Sequence, residues 1–144
     1  MPDFKYVSSE ISRKYSVAGD YSEVALNVLK AMREAQPDDV FENGLMKKGM
    51  IVRHLVLPGC TDDSLDVLDE IKKNLGKSQL ISIMSQYTPF YKSAEYPEIN
   101  RRITSYEYNK VVDTAIDLGL TEGFMQERSS AKEEYTPPFD CEGI

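Results

Sequence analysis

The chain has no tryptophan, a single histidine and two cysteines among its 144 residues. One histidine cannot supply a histidine-rich metal cluster and leaves little room for a serine or cysteine catalytic triad. Cys60 and Cys141 stand in no CxxC-type spacing, so neither a zinc site nor a disulfide framework is indicated, and a reducing compartment suits them. GxSxG, P-loop, GxGxxG and HExxH signatures are all missing, which removes the commonest hydrolase, nucleotide-binding and metalloprotease readings. No apolar run approaches the length of a membrane span, and the opening MPDFKYVSSE lacks the basic and apolar regions of a secretory leader, so no membrane partner and a cytoplasmic location are expected. Positive charge is also in deficit: 17 Lys and Arg against 24 Asp and Glu give a formal net charge of −7. That balance repels phosphate backbones and argues against a nucleic-acid partner.

What is present fits one soluble globular unit, with 41% hydrophobic and 28% charged residues. The pattern predicts a folded region over 1–128 and an extended, proline-containing tail over 129–144 (SSAKEEYTPPFDCEGI). Within the folded region a short extended start at 2–6 precedes a small helix at 9–15. Asp20 with Glu23 has the spacing of a capping box, and Tyr21, Val24, Ala25, Val28, Leu29 and Met32 recur at helical spacing up to Pro37. Residues 37–49 read as a loop. The run MIVRHLVL at 50–57 is aliphatic on both alternating sets, as in a parallel strand covered on both faces. It stops at Pro58-Gly59, and Thr61 is placed to cap a helix with Leu65, Leu68, Ile71 and Leu75 inward. A strand at 80–84 follows. Thr104 with Glu107 forms another capping box, ahead of a helix ending at Gly119 and a short strand at 123–127. The fold class is α/β, about three βα units on a parallel sheet with right-handed crossovers.

Sites on such sheets gather at the C-terminal ends of the strands. Asp3 and Lys5 are two apart on one strand and share a side; they read either as a surface ion pair or as a clamp for the carboxylate and amino groups of a zwitterion. Arg53 interrupts an aliphatic strand and must meet a carboxylate or a ligand. His54 falls on the opposite face, as a hydrogen-bonded structural residue. Gln86 and Tyr87, where SIMSQYTP leaves its strand, offer an amide and a phenol that can orient a nucleoside, or serve as loop packing. Phe90, Tyr91, Tyr96, Tyr106 and Tyr108 read as core and loop packing. Cys60 lies near a helix N-terminus, but Asp62 and Asp63 beside it disfavour a reactive thiolate.

Taken together, PDFKY at 2–6, KYS and DYSEVAL within 14–26, GMIVRHLVLPG at 49–59, SIMSQYTP at 82–89 and YTPPFD at 135–140 resemble the later strands of the uncharacterised branch of radical S-adenosylmethionine (SAM) proteins related to the pyruvate formate-lyase activating enzyme. The resemblance covers nearly the whole chain. It implies a partial (β/α)6 barrel in which a CxxxCxxC loop binds a 4Fe–4S cluster that anchors SAM. Reductive cleavage of SAM then gives a 5′-deoxyadenosyl radical, which in the best-known relatives takes hydrogen from a glycine of a partner glycyl radical enzyme. By resemblance, Asp3 and Lys5 match the Asp-x-Lys beside the methionine moiety of SAM, and Arg53 matches an arginine facing the same cavity. Gln86 and Tyr87 fall where related enzymes place a ribose-contacting histidine.

The sequence departs from that family in lacking CxxxCxxC and the glycine-rich motif that receives the SAM amino group. The expectation is therefore a C-terminal half of such an enzyme, inactive in radical chemistry alone. The alternatives are a non-enzymatic module that pairs through exposed sheet edges with a separate N-terminal half or a second copy, and an ordinary small-molecule enzyme on a flavodoxin-like sheet.

Overall fold

A computed structural model describes residues 1–125; the tail expected at 129–144, with YTPPFD and Cys141, lies outside the described residues. In chain order the elements are α1 (Ser9–Ser16), α2 (Tyr21–Ala35), β1 (Val40–Glu42), β2 (Leu45–Lys48), β3 (Ile51–Leu55), α3 (Thr61–Leu75), β4 (Leu80–Met84), a 3-10 turn (Tyr91–Glu95), α4 (Ser105–Asp117) and β5 (Gly123–Met125).

The aliphatic runs become a parallel sheet in the order β3-β4-β5. Its first edge is extended by the N-terminal segment, which joins through a parallel bridge between Asp3 and Arg53, with Arg53 N–H donating to Pro2 O at 2.8 Å and Phe4 N–H to Arg53 O at 2.9 Å. Each strand thus pairs with the one before it across a helical crossover, and α3 packs between α2 and α4. Alternation along the strands sends Phe4, Val52, Ile81 and Ile83 to one face. There they are buried with Leu29 of α2, Val67, Leu68 and Ile71 of α3, and Val111 and Ala115 of α4. Burying these side chains supplies the main favourable term of folding, about 1.5–3 kcal/mol for each large one. Strands β4 and β5 approach closely at Gly123, where any Cβ would stand 2.3 Å from Ile81 O.

Several expectations need correction. Residues 37–49 are not a plain loop: β1 and β2 form an antiparallel hairpin whose turn, Asn43-Gly44, takes positive φ at both positions, the backbone that Asn-Gly favours. The hairpin is exposed on both faces, so it leaves no hydrophobic alternation to read. Asp20 precedes α2 but makes no side-chain cap. Its φ of −98° and ψ of 8° are not the extended geometry that aims a capping oxygen at the first turn. Thr104, at φ −81° and ψ 159°, does close its capping box with Glu107. Before α3 the cap position is Cys60, not Thr61, and no side chain caps it. The inward residues of α3 include Ser64 and Val67, whereas Leu65 and Leu75 are only partly buried.

Candidate functional site

The face of the sheet turned away from the helices carries the charged residues. Because Phe4 is buried among the helices, Asp3 and Lys5 must point the other way. Register then sets Asp3, Arg53, Ser82 and Phe124 side by side across four neighbouring strands. Arg53 Nε donates to Asp3 Oδ1 at 2.7 Å. So the arginine meets a carboxylate, and Asp3 pairs with Arg53 rather than with Lys5. The pair is far from sealed, with side-chain exposures of 37% and 32%, and an ion pair this open adds under about 1 kcal/mol to stability. Neither Arg53 Nη nor Lys5 Nζ has a partner among the described residues, which leaves two cationic donors beside one carboxylate.

Outside the strand a different bond serves the same segment. The Tyr21 hydroxyl accepts from Lys5 N–H at 3.0 Å and donates to Asp3 O at 3.2 Å. These are the main-chain groups on the outer edge, so the phenol occupies the position a further strand would take.

Gln86 and Tyr87 lie past the end of β4. Gln86 Nε2 is 3.6 Å from Met84 Sδ, whereas Tyr87 is half-buried and packs in a separate aromatic cluster with Tyr6, Leu57, Tyr15 and Tyr96. Burial pushes the Tyr87 hydroxyl pKa up. The two residues that the sequence placed with Arg53 therefore diverge. The aromatic residues also divide. Tyr108 is core, its hydroxyl donating to Ile83 O at 3.1 Å, and Tyr96 packs edge-on against Tyr15 at 5.2 Å. Phe90, Tyr91 and Tyr106 are exposed, which corrects their reading as packing residues. The density of aromatics over 87–96 was the signal, but nothing in spacing separates a ring pointing inward from one pointing out.

His54 lies on the helix face, fully buried, with Nδ1 2.9 Å from Phe4 O, as a structural histidine should. Cys60 is buried, and desolvation followed by the charge of Asp63 raises its thiol pKa, so it is no reactive thiolate. Asp63 instead holds the start of α1, accepting from Val7 N–H at 3.1 Å and Ser8 N–H at 2.6 Å. No group of metal-ligating side chains occurs among the described residues, and no helix there is long and apolar enough to cross a membrane.

The chain is similar to an uncharacterized protein of Methanocaldococcus jannaschii, 32% identical over 123 residues, a match covering 83% of this chain and 32% of that protein. It thus spans about a third of the length of the curated relative it matches. No family model matches the chain, and no solved structure matches it.

Proposed function

We propose that the chain is the C-terminal part of a radical SAM-type half-barrel and supplies one wall of its cofactor site. The observation that carries this reading is the Asp3–Arg53 pair, half open on the helix-free face of a sheet whose strands follow one another in chain order. That winding suits a barrel wall, whose inner face carries the chemistry. A zwitterionic amino-acid moiety matches the charges present: Lys5 and the Arg53 Nη groups for its carboxylate, Asp3 for its ammonium. Gln86, past the end of β4, is the proposed contact on the nucleoside side, and Tyr87, packed in the separate aromatic cluster, is left out of it.

SAM, if bound, would supply a sulfonium nucleoside for reductive cleavage, the electron coming from a cluster on another polypeptide. The residues of this chain bind and orient it. They do not fit an iron–sulfur cluster, which is held by cysteine thiolates, because Cys60 is buried with a raised pKa and the chain has only one other cysteine. Cluster chemistry, and any glycyl radical enzyme acted upon, belongs to another polypeptide in this proposal.

Calorimetry with SAM tests it, on the chain alone and mixed with an anaerobically reconstituted polypeptide carrying a CxxxCxxC cluster loop. Binding in the mixture that weakens at least tenfold with Arg53→Ala is the expected result. A stable fold with no binding in either sample overturns the cofactor-wall reading.

A second reading is favoured by α2. Its Val24, Val28 and Met32 are exposed, and with Pro2, Ala18 and Tyr21 the helix borders a groove of about 320 Å³. In this reading the chain is a non-enzymatic module that docks a separate N-terminal half or a second copy there. Since Tyr21 holds the outer edge of the first segment, such docking proceeds by helix packing, or by strand addition after the phenol swings away.

A further inference from the structure

At the C-terminal end of the sheet, Tyr6, Leu57 and Tyr87 follow three adjacent strands and meet the 3-10 turn, Tyr96 and Tyr15 of α1 around a cavity of about 220 Å³. Its floor is fixed from several directions. Tyr15 hydroxyl donates to Glu98 at 2.7 Å, Lys14 Nζ reaches the same carboxylate at 2.5 Å, and Tyr96 hydroxyl donates to Lys14 O at 3.2 Å. Lys14 and then Tyr15 hold the Glu98 carboxyl down at about 2, so this brace stays charged across the physiological range.

The rim is different. Tyr91 is 80% exposed yet adopts φ 54°, a left-handed backbone that is strained for a residue with a Cβ. Packing cannot explain that conformation, because the ring it positions gains little burial. Lys92 lines the same cavity, has no carboxylate partner among the described residues, and holds its Nζ 5.6 Å from the Tyr91 ring. A strained aromatic at the mouth, a braced aromatic floor and an unneutralised ammonium, in a chain of net charge −7, form a concave site with few, convergent polar groups.

We infer that this cavity binds a small molecule with a single aromatic ring bearing an anionic substituent, the ring stacking among Tyr87, Tyr91 and Tyr96 and the anion meeting Lys92. Ring stacking and a cation beside the anion account for both rim residues. Tyr87 belongs to this cavity, and the inference does not depend on the SAM-site assignment.

The test follows backbone amide NMR shifts of the full chain during titration with benzoate and phenyl phosphate, with benzyl alcohol and methyl phosphate as controls lacking the charge or the ring. Saturable shifts at Tyr91, Lys92 and Ser93 are expected with both aromatic anions, and at least tenfold weaker ones with both controls. Preference between the two anions then identifies the acid as carboxylate or phosphate. Lys92→Ala should weaken the aromatic anions toward the neutral control. Tyr91→Gly separates binding from folding: glycine suits the positive φ, so the melting temperature should hold or rise while affinity falls at least fivefold. No saturable shift at these amides, equal binding of benzyl alcohol, or unchanged affinity in Tyr91→Gly overturns the inference.

Discussion

His54 is fully buried on the helix face of the sheet, held to the N-terminal segment by one ring nitrogen. Only the tautomer protonated on Nδ1 can donate to Phe4 O, and Nε2 is buried with no partner among the described residues. Desolvation therefore lowers the ring pKa from 6.5 to about 4. The sign follows from proton counting: between those values the unfolded chain takes up a proton that the folded one refuses, so stability falls as pH drops through this window and levels off below it. The loss amounts to about 3 kcal/mol. In His54→Asn the amide can still donate to Phe4 O but does not titrate, and urea melts between pH 6.5 and 4 should lose most of this slope. The neighbouring Arg53 was legible as exceptional because an arginine in an aliphatic strand stands out. Its partner was not legible, since Asp3 lies fifty positions earlier in the chain.

Among the elements, α4 shows how a local motif becomes a tertiary joint. Glu107 closes the capping box with Thr104, and its carboxylate also accepts from Gly59 N–H at 2.8 Å and from Arg101 at 2.7 and 2.9 Å. Arg101 is the leading cause of its strongly lowered pKa. The start of α4 is thereby tied to the turn after β3. Thr104→Ala removes only the cap and should cost about 1 kcal/mol. Glu107→Ala frees Gly59 N–H as well and should cost more, and the double variant should fall short of the sum, because the cap needs both side chains. Chemical denaturation of the four proteins checks this. DYSE before α2 and TSYE before α4 carry the same signature, and only the backbone at the cap residue distinguishes the working one. The hairpin was overlooked although Asn43-Gly44 announced it, because strands exposed on both faces carry no apolar period.

At the scale of the molecule, the bottom of the sheet is held by Arg33. From α2 it donates to Gln79 Oε1 at 3.1 and 2.8 Å, to Asp39 at 3.2 and 3.3 Å and to Met50 O at 3.2 Å. Gln79 in turn donates to Met50 O and Leu80 O at 2.7 and 2.8 Å, and Asp39 accepts from Met50 N–H at 2.9 Å. One guanidinium thus joins α2, the approach to β1 and the starts of β3 and β4, at the end of a parallel sheet that serves stability rather than chemistry. Arg33→Met strands these acceptors and should lower stability by about 2–3 kcal/mol, read as a shifted urea midpoint with unchanged m-value. Lys73→Ala, removing an exposed pair with Glu70, should move it by less than about 0.5 kcal/mol.

The sequence by itself determined the α/β class, the two central strands, the four α-helices nearly to their ends, the buried structural role of His54 and the shared side of Asp3 and Lys5. Each of these follows from periodicity or local sterics acting over a few residues. Tertiary structure alone decided that Asp3 pairs with Arg53, that Tyr21 closes the sheet edge, that Tyr87 parts from Gln86, and that Tyr91 and Lys92 rim a cavity while Tyr108 joins the core. Those outcomes depend on which distant segments arrive beside one another, and no short-range pattern encodes that.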